Sequence, residues 1–405
     1  MCYDRYNKNT FREKLMKKYN LLVPMAGLGS RFKKEGYEVP KQFIYVKDKQ
    51  LIDLSLDCVD RSECNLIFIV RSEQVYSYNA DKILKNKYGD DISIVITDGL
   101  TRGSVCSCLL AKEHIDNDLP LIIHTLDIQF FPKLDPKTLI RDGVDGTLLT
   151  FKSNSVNYSY VKLDDSGYAE ETAEKKVISD KACVGIYYFA RGSDFCKYAE
   201  KMIDNEITTR GEFYISPLYN LLIEDGLKIN TVDVDKIHIF GTPKEFLFYK
   251  NNVIKKIGDK PIALCSDHSG YEAKELFKSA LEKNNIEYID FGTQSDTDCD
   301  YKYYINQAIN SKRDGVCDFI FGFCRSGQGV NICANTFRGV RGALIFDEYT
   351  AEMSIRHNCA NFFSFPSRIF DDSQQVERII DILVNNTFDG GRHQLRIQEL
   401  KNESL

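Results

Sequence analysis

The sequence predicts two doubly wound α/β domains in tandem, and three observations lead to that prediction. At 405 residues the chain is long for a single hydrophobic core, so two domains are expected. Short apolar runs alternate with helix-like patterns, which is typical of helices layered on a mostly parallel sheet. A polar, lysine-rich stretch at Asn251–Lys260 interrupts this alternation, and a new series of strands and helices begins after it.

The predicted elements follow in chain order. Residues 1–18 are a lead-in with a short predicted helix at Thr10–Lys18. In the first domain, residues 19–255, strands are predicted at Asn20–Val23, Asn65–Val70, Ser93–Thr97, Leu121–His124, Gly146–Phe151 and Cys183–Phe189. In the second domain, residues 256–405, strands are predicted at Ile262–Cys265, Glu287–Asp290 and Phe319–Phe323, and helices at Gly270–Asn284, Tyr303–Asn310 and Thr350–Arg356. Ligands are expected beyond the carboxyl ends of the parallel strands.

Composition excludes several classes of function. The chain is 43% hydrophobic and 28% charged with a net charge of −6, and it has no polybasic run, so neither nucleic acid nor an anionic membrane is expected as a partner. No apolar stretch approaches the roughly 18 residues that span a bilayer. The 13 cysteines form no C-x-x-C pair, and no histidine stands at zinc-site spacing. This pattern predicts reduced thiols in a cytoplasmic enzyme.

The stretch from Asp318 to Thr336 is the strongest candidate site. A short apolar strand ends at Cys324, and a loop containing Gly327 and Gly329 leads into a predicted helix. Unpaired N–H groups at a helix N-terminus bind anions and favour a thiolate beside them. A thiolate next to an anion hole suits proton abstraction alpha to a carbonyl, because base and enediolate stabiliser lie side by side. The alternative is a buried cysteine that ends a core strand.

Other chemistry-bearing residues of the second domain are expected near this thiol. Asp267 and His268 follow a predicted strand, which puts a carboxylate and an imidazole over the same sheet edge as the thiol. His357 follows a predicted helix, and Arg392 and Arg396 are four residues apart, a spacing that suits a phosphate clamp. Singly these residues have other interpretations, a core histidine or solvated arginines. Together they describe a phosphosugar isomerase.

This half resembles the ribose-5-phosphate isomerase B / galactose-6-phosphate isomerase family over Pro261–Leu400, through the motifs S-D-H-x-G-Y, D-Y, C-x-S-G-x-G, A-N, H-N and G-G-R-H-x-x-R. The resemblance implies that Cys324 moves a proton between C2 and C1, that Asp267 and His268 bind the sugar, and that His357 assists ring opening. It implies an anion hole at Ser326, Gly327, Gly329 and Asn335 and further substrate ligands at Tyr301, Asn358, Arg368, Arg392 and Arg396.

The same resemblance implies a Rossmann-like parallel sheet, no cofactor, and a pocket between subunits, hence a homodimer or a dimer of dimers. Two positions depart from the family pattern: Arg325 stands where glycine is usual, and Cys359 where aspartate is common. A side chain at 325 is expected to narrow the pocket, add a phosphate contact or change the accepted sugar. Retention of Cys324 favours a five-carbon substrate.

The first domain carries a phosphate-binding pattern. Gly27 and Gly29 after the first strand let the backbone approach a phosphate chain, and Arg31 and Lys41 supply positive charge. With Pro24 and Pro40, this ordered set resembles the G-x-G-x-R-F and P-K signature of the sugar nucleotidyltransferases, over about Tyr19 to Lys250.

That second resemblance implies a mixed sheet and transfer of a nucleotidyl group to a sugar phosphate. It implies Arg31 and Lys41 as catalytic residues and Lys175 and Glu212 as sugar-phosphate ligands. The nucleotide-binding residues it implies are Ala26, Gly27, Gly29, Ser30, Gly103 and Ser104. Mg²⁺ is expected at Asp127; the usual second aspartate is replaced by Ile239, with Asp235 nearby as a substitute.

Joined, the halves predict a bifunctional enzyme that isomerises a pentose 5-phosphate and transfers a nucleotide to a sugar or pentitol phosphate. Two alternatives stay open. In one, a single domain is active and the other is a sensing or dimerisation module. In the other, the protein is a sugar-phosphate-binding regulator without turnover, although the full set of partners around Cys324 speaks against it.

Overall fold

The computed structural model describes residues 17–46, 49–390, 393 and 396–397. The chain forms two compact units, Met1–Asp235 and Lys236–Leu405. The predicted domain boundary, between residues 255 and 256, stays a prediction. The lead-in helix predicted at Thr10–Lys18 falls outside the described residues apart from Lys17 and Lys18, and Arg392 also lies outside them.

The first unit alternates strands with short helices. Its strands are β1 (Tyr19–Pro24), β2 (Tyr45–Val46), β3 (Lys49–Gln50), β4 (Cys64–Arg71), β5 (Ser93–Thr97), β6 (Leu121–His124), β7 (Ile128–Phe131), β8 (Gly146–Lys152), β9 (Ser159–Leu163), β10 (Ala169–Glu174), β11 (Lys181–Phe189) and β12 (Ile229–Asp233). Its helices are α1 (Ser30–Lys34), α2 (Leu51–Leu56), α3 (Ser72–Tyr78), α4 (Ala80–Tyr88), α5 (Ser104–Leu109), α6 (Lys112–Ile115), α7 (Gly192–Asp204) and α8 (Ile215–Glu224). The strands predicted for this half all form.

Within the described residues, the main sheet of the first unit has nine strands. They run in the order β10-β9-β11-β6-β1-β4-β5, and β8 pairs with both β11 and β12. Strands β6, β1, β4 and β5 are parallel, as the alternation predicts. Strand β11 is antiparallel to β6 and β8, so the sheet is mixed, as the second resemblance implies. A buried apolar cluster lies between this sheet and α5–α8, with Phe189 stacked on Tyr219 at 4.7 Å.

The second unit has the strands β13 (Lys236–Ile239), β14 (Ile262–Ser266), β15 (Tyr288–Asp290), β16 (Ile320–Cys324), β17 (Gly342–Leu344) and β18 (Phe362–Pro366). Its helices are α9 (Pro243–Phe248), α10 (Tyr271–Lys283), α11 (Tyr301–Arg313), α12 (Gln328–Asn335), α13 (Glu348–Arg356) and α14 (Ser373–Asn385). The predicted strands and helices of this half are confirmed within a few residues at each end.

The sheet of the second unit is parallel, with the described strands in the order β15-β14-β16-β18-β17. Apolar clusters cover both faces, with α10, α13 and α14 on one side and α11 and α12 on the other. The chain moves outward from β14 to β15 and then crosses back to β16. The strand order therefore reverses between β14 and β16, and ligands bind at such a switch point.

No helix in the described part of the chain has the length and apolar character needed to cross a membrane. All cysteines within the described ranges are free thiols.

Candidate active sites

The thiol of Cys324 lies at the switch point of the parallel sheet. Cys324 is the last residue of β16 and is 5% exposed. Pairing of Ser266 with Phe323 places Asp267 beside Cys324 at the next strand end, and pairing of Cys324 with Pro366 places β18 on the other side. The predicted meeting of Asp267 and Cys324 at one sheet edge therefore follows from the strand register.

A tight turn connects the thiol to the N-terminus of α12. The Gly327 N–H donates to the Cys324 carbonyl at 3.3 Å, and the Ser367 N–H donates to the same oxygen at 3.0 Å. Gly327 has φ 70°, and a Cβ added there would lie 2.5 Å from Leu344 Cδ1, so this position requires glycine. The Ser364 hydroxyl donates to the Gly327 carbonyl. These contacts hold the first turn of α12 against the strand that carries the thiol.

Asp267 is held close to the thiol by its own loop. Its carboxylate accepts a hydrogen bond from the Gly270 N–H at 2.9 Å, and its side chain is 8% exposed. A Cβ on Gly270 would lie 2.5 Å from the carbonyl of Phe323, so the loop packs directly on the end of β16. Burial raises the pKa of Asp267, while the Gly270 hydrogen bond and His268 act in the opposite direction.

His268 is oriented by the segment before α11. Its Nδ1 lies 3.1 Å from the Cys299 nitrogen and 3.4 Å from the Cys299 carbonyl oxygen. The Asp298 carboxylate lies 3.2 Å from the same Nδ1 and would pair with the charged ring. These contacts fix the ring through Nδ1 and leave Nε2 without a hydrogen bond to the described residues, so Nε2 is available to exchange a proton or a hydrogen bond with a ligand.

Tyr301 and Ser326 complete the surroundings of the turn. The Tyr301 ring packs against Gly329 in the first turn of α12, where an added Cβ would lie 3.1 Å from the ring. The Ser326 hydroxyl accepts a hydrogen bond from the Gln328 N–H at 3.3 Å. The predicted residues 267, 268, 301, 324, 326, 327 and 329 are thus brought to one edge of the sheet.

In the first unit, the loop after β1 has the form expected of a phosphate-binding segment. Gly29 has φ 59°, Gly27 and Ser30 are exposed, and Arg31 extends into solvent with no partner among the described residues. The Met25 carbonyl accepts hydrogen bonds from two glutamine side chains that the sequence did not single out, Gln42 at 3.2 Å and Gln74 at 3.1 Å. These buried amides hold the start of the loop.

Lys41 and Asp127 form an ion pair in the structure. The Lys41 side chain is 13% exposed and that of Asp127 is 53% exposed, so the carboxylate still faces solvent. The loop that carries Asp127 is anchored on both sides. The Ser55 hydroxyl donates to the Ile128 carbonyl at 2.7 Å, and the His124 ring bridges the Thr125 and Ser55 carbonyls. Burial lowers the pKa of His124 to about 4, and the contacts with the two carbonyls act in the opposite direction.

Magnesium fits Asp127, because Mg²⁺ commonly binds one or two carboxylates together with substrate phosphates. Asp235 lies elsewhere: its N–H donates to the Phe131 carbonyl, at the end of β7 remote from Asp127. Within the described residues no group of three or more His, Cys, Asp or Glu side chains is arranged to hold a metal ion.

The predicted sugar-phosphate ligand Lys175 is half-buried beside Tyr214. Its Nζ donates to the Tyr214 hydroxyl at 2.7 Å, and its backbone has φ 55°, which is uncommon for a residue with a side chain. The neighbouring Glu174 accepts a hydrogen bond from Ser159, and burial raises the pKa of this carboxyl. Glu212 is exposed beside Tyr214.

The loop Thr101–Ser104 is fastened to the strand-like segment before α8. The Phe213 N–H donates to the Arg102 carbonyl at 2.8 Å, and the Val105 N–H donates to the Phe213 carbonyl at 3.0 Å. Gly103 has φ 127°, and an added Cβ would lie 2.5 Å from the Phe213 backbone. Only glycine allows this approach, which brings the predicted nucleotide loop next to Tyr214.

We therefore expect Gly103→Ala to lower the free energy of unfolding by roughly 2–5 kcal/mol, through backbone strain and overpacking. Urea unfolding of the full chain measures the change in the transition of the first unit. The matched control is Gly99→Ala, where an added Cβ meets no atom within 4 Å, and its expected effect is small. Equal midpoints for the two variants would contradict the close approach.

Comparison with known proteins supports the family resemblance that the sequence of the C-terminal half shows. A model of the Ribose/Galactose Isomerase family matches residues 262–400. Ribose-5-phosphate isomerase B of Escherichia coli K12 is 33% identical over 141 residues, which are 35% of this chain and 94% of that protein. A probable ribose-5-phosphate isomerase B of Mycoplasma pneumoniae is 31% identical over 144 residues, which are 35% of this chain and 92% of that protein.

The C-terminal part of the chain belongs to the ribose/galactose isomerase family. The resemblance of this isomerase region to that family is thus confirmed. Among solved structures, a nucleoside-diphosphate-sugar pyrophosphorylase of Vibrio cholerae RC9 aligns with the N-terminal part at 26% identity. That alignment covers 57% of this chain and 99% of that chain, with a TM-score of 0.49.

Within one copy of the isomerase region, His357 does not lie at the thiol. It caps the C-terminus of α13, and the chain then enters the start of β18. In a parallel sheet the amino end of β18 is the edge opposite Cys324, and a five-residue strand separates the two edges by roughly 15 Å. The His357 ring stacks on His393 at 4.1 Å, and its Nε2 lies 3.9 Å from Asp389.

Three other predicted ligands, Asn335, Asn358 and Arg396, also lie away from the thiol edge of the sheet. Asn335 ends α12, where its side chain exchanges hydrogen bonds with Gly342, so within one copy it is remote from the turn at Gly327. Asn358 is exposed next to His357, and Ile397, the neighbour of the exposed Arg396, lines the same cavity as Asn358.

Arg368 lies at the carboxyl edge. It follows Ser367, whose N–H bonds the Cys324 carbonyl, and its side chain is exposed. One copy therefore supplies the thiol, the Asp267–His268 pair and Arg368 at one edge of the sheet, and His357 at the other.

Proposed function

We propose that the isomerase region interconverts the aldose and ketose forms of a pentose 5-phosphate, ribose 5-phosphate and ribulose 5-phosphate. The observation that carries this proposal is the placement of Cys324 at the switch point, beside Asp267 and against the N-terminal turn of α12. In the open-chain aldose, the thiolate takes the proton from C2 while the carbonyl oxygen at C1 gains a proton. The resulting enediol then loses the O2 proton and regains a proton at C1, which gives the ketose.

The N–H groups in the first turn of α12 that have no partner within the described part of the chain, such as that of Gly329, would stabilise the negative charge that develops on the enediolate oxygens. Asp267, whose pKa is raised by burial, and His268, which can donate through Nε2, would exchange protons with the sugar hydroxyls. No cofactor is needed for these steps, because every proton moves between the substrate and a side chain.

We further propose that two copies of the chain share each isomerase site. His357, Asn358 and Arg396 lie at the edge opposite the thiol in one copy, so a second copy would bring them to it. Large apolar side chains are exposed on the helices of this unit: Tyr303, Ile332 and Tyr349. A cavity of about 1030 Å³ is lined in part by Tyr349, Met353 and Asn358. These surfaces fit a homodimer or a dimer of dimers.

Mixed dimers test this arrangement. Cys324→Ser and His357→Ala are each expected to inactivate the isomerase alone. Coexpressed in equal amounts with different affinity tags, they are expected to recover about one quarter of the native activity, because half of the dimers would contain one intact site. Recovery only at the level of the separate variants would show that His357 acts in its own subunit or not at all.

For the N-terminal unit we propose Mg²⁺-dependent transfer of a nucleotidyl group from an NTP to a sugar or pentitol phosphate, with release of pyrophosphate. The Lys41–Asp127 pair beside the Gly27–Gly29 loop supports it, because in-line attack on phosphorus needs orientation and charge neutralisation. Asp127 would hold Mg²⁺, which neutralises phosphate charge when bound. Arg31 and Lys41 would bind phosphate oxygens, and Lys175 the phosphate of the acceptor.

The two reactions belong to one route only if the transferase can use the product of the isomerase, and the position of the phosphate on the sugar decides this. The isomerase leaves phosphate on C5, so either a mutase supplies a 1-phosphate or the transferase accepts a terminal phosphate directly, as with a pentitol 5-phosphate and CTP. A precursor of a surface polysaccharide is the destination we propose, by analogy, and we propose a cytoplasmic location, which the free thiols of the described residues support. Screening each NTP against sugar phosphates for pyrophosphate release tests the assignment.

In a second candidate function, only the isomerase region is catalytically active. It is favoured by Ile239 at the position of the usual second metal aspartate and by the placement of Asp235 away from Asp127. The N-terminal unit would then bind nucleotide or sugar phosphate as a sensor. Nucleotide binding without pyrophosphate release from any NTP, with full isomerase activity, would support this function over the bifunctional one.

A further inference from the structure

Arg325, the residue that follows Cys324, makes no contact that the fold requires. Arg325 and Ser326 are the two central residues of the turn closed by the Gly327 N–H and the Cys324 carbonyl. The side chain of Arg325 is exposed, and among the described residues it makes no hydrogen bond or ion pair. An ordinary turn of this kind accepts most residue types at its first central position, so the fold does not require an arginine here.

A second unpaired arginine lies on the adjoining strand end. Cys324 pairs with Pro366 across β16 and β18, so Arg325 and Ser367 face each other one residue beyond the sheet, and Arg368 follows directly. Arg368 is also exposed and has no partner within the described part of the chain. Two arginines that make no ion pair with a described carboxylate therefore follow the ends of β16 and β18, at an edge where neighbouring strands are about 4.8 Å apart.

The carboxylate closest in the register does not neutralise them. Asp267, at the end of β14, accepts a hydrogen bond from the Gly270 N–H, and its carboxylate makes no ion pair with an arginine among the described residues. Exposed arginines without a carboxylate partner favour a divalent anion, and a phosphate monoester accepts hydrogen bonds from two guanidinium groups in the bidentate manner.

We propose that Arg325 is a substrate-binding residue that, together with Arg368, binds the phosphate of the sugar phosphate from the same subunit as the thiol. This inference rests on the proposed isomerase function and adds a phosphate ligand to it. It also makes the site selective for substrates with a full phosphate dianion over neutral sugars, because a neutral sugar leaves both arginines without a counter-ion.

The kinetic test compares Arg325→Gly and Arg325→Lys with the native chain. For Arg325→Gly we expect KM for ribose 5-phosphate to rise about tenfold or more, the value of one charge-assisted hydrogen bond, with kcat little changed. Arg325→Lys is expected to recover part of the loss, because it keeps the charge. The control is Arg378→Ala on α14, whose guanidinium pairs with Glu348 at 2.6 Å. A KM within twofold of native, or a fall in kcat alone, would overturn the proposal.

A second measurement needs no turnover. Iodoacetamide alkylation of Cys324, followed by mass spectrometry of its peptide, reports whether inorganic phosphate protects the thiol. Protection is expected in the native chain and in Arg378→Ala, and it is expected to be much weaker in Arg325→Gly. If ribose 5-phosphate is not isomerised but this difference in protection is seen, the proposed reaction fails and the anion site stands. Equal protection in all three proteins, or none in the native chain, would overturn the anion site.

Discussion

Replacing Cys324 by serine is expected to lower the rate of ribose 5-phosphate isomerisation by about 10²–10⁴-fold, the usual contribution of a positioned general base. Serine keeps the shape of the side chain, but its hydroxyl is a far weaker acid than a thiol and supplies no anion near neutral pH. The Asp267 residue at the adjoining strand end is 8% exposed and accepts a hydrogen bond from the Gly270 N–H, and the proposed mechanism assigns it proton exchange with the sugar hydroxyls rather than with carbon.

The matched control for this substitution is Cys333→Ser. Cys333 is a half-buried thiol on α12, in the same apolar cluster but away from the turn. We expect this variant to keep isomerase activity, and we expect Cys324→Ser to keep any pyrophosphate release by the first unit. Activity of Cys324→Ser within tenfold of native, in a coupled assay with unchanged circular dichroism, would show that the thiol is only a buried strand end.

The second large effect is expected in the first unit, where Asp127→Ala should reduce pyrophosphate release by about 10²–10³-fold, comparable to the loss of one preorganised charge-stabilising group. The substitution removes the exposed carboxylate expected to hold Mg²⁺ and leaves Lys41 without its partner. Release of pyrophosphate from each NTP, measured over a range of Mg²⁺ concentrations, checks it. Isomerase activity of the same preparation should not change.

Asp235→Ala is the variant to compare with Asp127→Ala. Asp235 lies at the end of β7 remote from Asp127, so we expect its replacement to leave the Mg²⁺ dependence unchanged. A shift in the Mg²⁺ requirement of Asp235→Ala equal to that of Asp127→Ala would instead support Asp235 as a second ligand. No loss in Asp127→Ala itself would remove Asp127 from the site.

The sequence predicts which side chains lie together where the hydrophobic pattern identifies the strands and the strands are parallel. The ends of β14 and β16 meet because parallel strands place their carboxyl ends at one edge, so Asp267 and Cys324 were expected together before their register was known. The strand β10 has no counterpart in the prediction, because Ala169–Glu174 is polar and presents no apolar alternation. The buried amides of Gln42 and Gln74, which hold the Met25 carbonyl, also carry no local signal.

Sequence by itself determined the α/β class, the succession of strands and helices, and the chemistry at the end of each strand, because these depend on hydrophobic period and residue type over short distances. Only the tertiary structure decided which side chains meet. It paired Lys41 with Asp127, placed Asp235 away from that pair, and set His357 at the edge opposite the thiol. Contacts between residues far apart in the chain depend on strand order and crossover direction, which no short stretch of sequence contains.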